Sequence, residues 1–165
     1  MRGVYVPRLP GARVSSIITK PMSSPTDPSR SSSPPALSER VIVVVDDDDT
    51  VRAMTSTYLR RSGATVHHAG NGRDALVLLQ TLTASGTFVH AVLCDLRMHG
   101  GSGMELHRHL CEQLPSLAAR IVFFSGDVES DDVRAFVEQS TVTVLAKPYA
   151  LAELRRRLAE LPPSA

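Results

Sequence analysis

The chain of 165 residues has no tryptophan and no apolar run long enough to cross a bilayer, so a helical membrane span is excluded. Cysteine is scarce. Cys94 lies in a strongly apolar stretch and Cys111 in a helical one, a usage that fits a reduced, cytoplasmic chain with two structural thiols rather than a disulfide framework. No apolar h-region for secretion is present; Ile17-Ile18 is the longest strongly apolar piece near the start. An excess of one charge is lacking too, with a formal net charge of +1. That balance is uneven. Residues 1–38 carry five basic side chains against one acid, so the remainder carries a net −3. By charge, the folded part has no nucleic-acid footprint.

Residues 1–38 hold seven of the eleven prolines and nine serines. Nothing in them is periodic, and they are expected to form a disordered tail ahead of one folded domain over 39–162. Their Arg- and Ser-rich, acid-poor makeup also suits a transit peptide, or a linker inherited from a longer ancestor.

The folded part is organised around Val41-Ile-Val-Val-Val-Asp-Asp-Asp-Asp49. Five β-branched residues read as a strand buried on both faces, as in a parallel sheet. Four carboxylates follow at its carboxyl end, the edge where open α/β sheets bind ligands. Crowded carboxylates repel one another, and hard divalent ions such as Mg²⁺ take oxygen ligands of this kind.

Further along, Asp49 or Thr50 is expected to cap a helix to about Ser62, with Val51, Met54, Tyr58 and Leu59 inward. Strands are expected at Thr65–Ala69, His90–Cys94, Arg120–Phe124 and Thr141–Ala146. Helices are expected after Asn71, over about Gly103–Gln113, Ser130–Gln139 and Ala150–Leu161. Five strands alternating with five helices imply an α/β doubly wound parallel sheet. Asp46, Asp47, Asp95, Ser125 and Lys147 all follow strand ends, so one topology gathers three acids, a hydroxyl and an ammonium at one edge.

Three acids with a cation make a divalent-metal site, and one acid can also be a nucleophile. A carboxylate that attacks phosphorus forms an aspartyl phosphate. It needs a metal against the developing charge, and a cation and a hydroxyl for the phosphoryl oxygens. Lys147 and Ser125 suit the last two roles, and Asp95 is the candidate nucleophile. His67, His68, His107 and His109 are expected on the surface, and Arg155-Arg-Arg157 on a solvated helix face.

From about Arg40 to Leu161 the chain resembles the receiver domains of two-component response regulators. The likeness rests on Asp46-Asp47, on Leu93-Cys-Asp-Leu-Arg-Met98, on Ser125-Gly126 and on Ala146-Lys-Pro-Tyr149. It also rests on the spacings of thirty residues from Asp95 to Ser125 and twenty-two from Ser125 to Lys147.

The resemblance implies a flavodoxin-like (βα)5 three-layer sandwich. It implies phosphorylation of Asp95, and Mg²⁺ held by Asp46, Asp47, Asp95 and the Arg97 carbonyl. It implies that Ser125 and Lys147 meet the phosphoryl group and that Lys147–Pro148 is cis. The donor it implies is a sensor histidine kinase or a histidine phosphotransfer protein, with output by protein contact or phosphorelay. The domain would phosphorylate and dephosphorylate itself without being a turnover enzyme. Two positions depart from the family pattern: His99 stands where proline is usual, and Val144 where an aromatic switch residue is usual. An Arg97–Asp127 ion pair across the pocket mouth is a further expectation.

A rival reading takes Asp46-Asp-Asp48-Asp-Thr50 as the nucleophile motif of haloacid-dehalogenase-type phosphatases. The order of Lys147 opposes it, and it leaves Asp95 without a role. A phosphorylation-independent scaffold is the third class considered.

Overall fold

The computed structural model describes residues 16–18, 37–140 and 142–160. Strand β1 is Ser16–Ile18, followed by β2 (Val41–Val45), α1 (Asp49–Arg61), β3 (Thr65–Ala69) and α2 (Gly72–Ala84). Then come β4 (Ala91–Asp95), α3 (Gly103–Gln113), a single helical turn α4 (Pro115–Ala118) and β5 (Ile121–Ser125). The described chain ends with α5 (Asp131–Gln139), β6 (Thr143–Ala146) and α6 (Leu151–Glu160). All the pairings are parallel, in the order β1-β6-β5-β4-β2-β3.

The sheet is covered on both faces, and the alternation of strand side chains explains how. Val43 and Val45 of β2, Val92 and Cys94 of β4 and Phe123 of β5 point to one side, where they meet Leu79, Leu106, Leu110, Val133 and Val137. Ile42, Val44, Leu93, Val122 and Phe124 point to the other, against Leu59, Leu154 and Leu158. The central strands β4 and β5 are buried along their whole length. This is the doubly wound parallel sheet that the strand–helix alternation predicts, and the flavodoxin-like three-layer sandwich that the resemblance implies. No helix among the described residues is long and apolar enough to cross a membrane.

Several expectations need correcting. A sixth strand is present: Ser16–Ile18, inside the segment expected to lack structure, pairs with β6 from Ser16↔Thr143 to Ile18↔Leu145. Leu37, also assigned to the tail, is fully buried in the α1–α6 layer and donates its N–H to the Ser62 carbonyl at 2.9 Å. Residues 1–15 and 19–36 of the expected tail, together with Thr141 and residues 161–162, lie outside the described residues. Helix α1 is capped by Asp48, whose carboxylate accepts from the N–H groups of Thr50 and Val51. Met54, expected inward, is 55% exposed, and Thr55 and Ser56 are buried instead. Asn71 caps α2 as expected.

Candidate functional site

Parallel pairing puts the carboxyl ends of β2, β4, β5 and β6 on one edge, and each delivers a polar residue there. Asp46 and Asp47 follow β2, Asp95 and Ser125 end β4 and β5, and Lys147 follows β6. Oxygens of Asp46, Asp47 and Asp95 all lie within 4.8 Å of one another. The Lys147 ammonium bridges two of them, donating to Asp95 Oδ2 at 2.6 Å and to Asp46 Oδ2 at 3.2 Å. Its backbone N–H holds the Ser125 carbonyl at 2.7 Å, tying the lysine to the end of β5. The Lys147–Pro148 peptide is cis.

Each acid has a local anchor. Asp46 Oδ1 accepts from the Asp48 N–H at 2.9 Å, and Asp95 Oδ1 from the Arg97 N–H at 3.1 Å. Asp47 Oδ2 accepts from both the backbone N–H and the ring Nδ1 of His99, at 2.9 and 2.7 Å. Ser125 is buried, and its Oγ accepts from the Asp127 N–H at 3.1 Å. The floor is tight. A Cβ on Gly103, at the start of α3, would collide with the Asp95 carbonyl oxygen, so glycine there lets the helix begin against the end of β4.

Electrostatics follow from this packing. Burial raises the Asp46 pKa, outweighing the Asp48 N–H and the Lys147 charge that favour its anion, and the Asp95 charge raises it further. Asp47 is held below the ordinary carboxylate range, first by the His99 N–H and then by the His99 ring. Burial works to lower the Lys147 pKa, but the hydrogen bond and charge of Asp95, with Asp46, carry it upward. Three carboxylates against one ammonium leave a formal −2 in the pocket. An all-oxygen donor set with that deficit fits a hard divalent cation such as Mg²⁺.

The expected set of Asp46, Asp47, Asp95 and Lys147 is therefore brought together, with Ser125 at the end of the adjoining strand. Arg97 folds back over Asp95 through its N–H. Its guanidinium reaches Asp127 at 3.5 Å, the pair expected across the pocket mouth, and also Asp132 at 2.9 Å and Ser130 at 3.0 Å. The contacts to α5 were not foreseen; only the charges signalled them. The His99 contact to Asp47 was missed too. Its signal was the departure from proline, because proline has no N–H to give. His107 corrects the surface expectation, since its ring packs edge-on against Phe123 and Phe136. Val144 is fully buried beside Phe123, Val133 and Val137.

Residues 42–159 match the family described as the response regulator receiver domain. No curated protein matches the chain. Among solved structures, the chain is similar to the receiver domain of the hybrid histidine kinase CckA. The two share 25% identity and a TM-score of 0.57, over 72% of this chain and 94% of the other. It is similar to a two-component system response regulator/GGDEF domain protein at 30% identity and a TM-score of 0.62, over 73% and 47%. The response regulator TrrA from Thermotoga maritima, solved with Mg²⁺ and BeF, has the same fold. It is 22% identical with a TM-score of 0.60, over 74% and 99%.

Proposed function

The chain belongs to the response regulator receiver domain family, and from that premise we propose that it carries a signal as a phosphoryl group on Asp95. The observation that carries this reading is the placement of the Asp95 carboxylate. Lys147 Nζ holds one oxygen, the Arg97 N–H holds the other, and two more acids stand within ligand distance. A carboxylate oxygen of Asp95 attacks the phosphorus of a phosphohistidine. The new O–P bond forms as the P–N bond breaks, and the electron pair leaves with the imidazole nitrogen. Hydrolysis later returns inorganic phosphate and the free carboxylate.

Lys147 then pairs with a phosphoryl oxygen. Ser125 Oγ accepts from Asp127 and keeps its own O–H to donate to another. Asp46, Asp47, Asp95 and the Arg97 carbonyl are the groups that would hold Mg²⁺, which would supply neutralisation of the charge that builds on the transferring oxygens.

The donor is a histidine kinase or a histidine phosphotransfer protein. Its docking face is the open groove between α1 and α6, which begins beside the acids at Asp49 and Thr50 and includes Met54, Tyr58 and Leu151. Ala53, Met54, Tyr58 and Leu151 lie together in its lining, so apolar surface is grouped there rather than scattered singly, which supports that reading. Output passes through a protein partner or onward phosphorelay.

The test is mass analysis after incubation with acetyl phosphate and Mg²⁺. Wild type gains one phosphoryl group, mapped to Asp95, and Asp95→Ala gains none. Label on Asp46, or label that persists in Asp95→Ala, supports the phosphatase-type reading instead. No label in wild type with any donor leaves the scaffold role.

A further inference from the structure

We propose that His99 is a positioning residue for the divalent-cation site, holding the Asp47 carboxylate in one orientation; this rests on the reading of Asp46, Asp47 and Asp95 as that site. The three acids are not held alike. Asp46 and Asp95 have side chains only 4% and 12% exposed, and both lie against the Lys147 ammonium. Asp47 is 24% exposed. Packing and the lysine thus orient two acids, while the third is held by the loop after β4.

That grip is specific. A carboxylate only accepts, so His99 donates from Nδ1. The backbone N–H of the same residue donates to the same oxygen. Two donors of one residue thus meet the same oxygen, Oδ2, and fix the plane of the carboxylate. The His99 ring is fully exposed, so it gains no burial by standing there, and the hydrogen bonds are what place it. Where the family pattern has proline, neither donor exists: proline lacks the N–H and has no polar side chain. One departure from the pattern thus creates both contacts. Partners that orient a ligating carboxylate set metal affinity through the ligand they hold, and removing one typically costs about 10- to 100-fold.

The test is calorimetric titration of Mg²⁺ into the full chain and its variants, with no phosphodonor present. His99→Pro, which removes both donors, weakens Mg²⁺ binding about tenfold or more. His99→Asn keeps the N–H, supplies a side-chain amide donor and recovers most of the loss. His99→Ala keeps only the N–H and falls between, and it is the deciding variant if His99→Pro does not fold. Equal or tighter Mg²⁺ binding in His99→Pro or His99→Ala overturns the proposal, as does failure of His99→Asn to bind better than His99→Ala. A wild type that binds no Mg²⁺ overturns both this and the function above. A wild type that binds Mg²⁺ and labels on Asp95, with variants unchanged, overturns the His99 role alone.

Discussion

Single residues here are set by what surrounds them more than by their type. His107 lies on the inner side of α3 between Phe123 and Phe136, and burial lowers its pKa below the ordinary 6.5. His90 is lowered as well, first by burial and then by the charges of Arg40 and Arg120, and its Nδ1 accepts the Val41 N–H at 3.0 Å. A proton on that nitrogen would remove the acceptor. For both rings the folded state binds the proton less readily than the unfolded chain does. Their contribution to stability is therefore whole above 6.5 and is lost as pH falls through the lower, folded values. Wild type should melt at a clearly lower temperature at about pH 5 than at about pH 7.5, and His107→Phe should show a smaller drop. An equal drop in the variant would mean that His107 is not the group that resists protonation. The sequence could not reveal this. His107 and His109 are two apart on one helix, and only the aromatic rings contributed by β5 and α5 decide which of them is enclosed.

At the scale of elements, legibility followed the strength of the pattern. Runs of β-branched residues such as Val41–Val45 need burial on both faces, and β2 and β3 match their expected bounds. Helix α3 matches too, because Ser102 and Glu105 form a capping box that punctuates its start. The turn Pro115–Ala118 is too short for any period to appear, and β1 spans only three residues. The stripe of α1 differs from the expected one because two small polar residues, Thr55 and Ser56, are buried while Met54 is exposed. The acidic run divides between two jobs. Asp46 and Asp47 face the pocket, whereas Asp48 satisfies the free N–H groups that open α1. Replacing Asp48 with alanine should lower stability by about 1 kcal/mol, the usual worth of a side-chain cap. The backbone N–H that anchors Asp46 survives in that variant, so phosphoryl labelling of Asp95 should be unchanged. Chemical denaturation gives the first quantity and mass analysis the second. A loss of labelling at full folding would place Asp48 in the site rather than in the cap.

For the whole molecule, the site was legible because topology does the gathering. Four parallel strands end on one edge, so four separate pieces of sequence needed only their strand assignments to be brought together. What the sequence hid is how the domain begins. A boundary near Ser38 follows composition, since prolines and serines thin out there, yet composition says nothing of a lone apolar residue that finds a hole. Leu37 is that residue. It has no exposed surface and packs in the layer with Ile42, Val44, Leu59, Leu154 and Leu158, and its N–H is satisfied by the end of α1. Leu37→Ala in the full chain should cost about 2–5 kcal/mol, the range for emptying a leucine site in a packed core. A chain begun at Ser38 should suffer a similar loss relative to one begun at Ala36, because both truncations lack β1 and only one lacks Leu37. Urea midpoints of the two truncations isolate the leucine. Any gap between the Ala36 chain and the full chain then reports on residues 1–35, among them β1, which covers the edge that β6 would otherwise leave open. Equal midpoints for the Ala36 and Ser38 chains would place the domain boundary where composition drew it and remove Leu37 from the core.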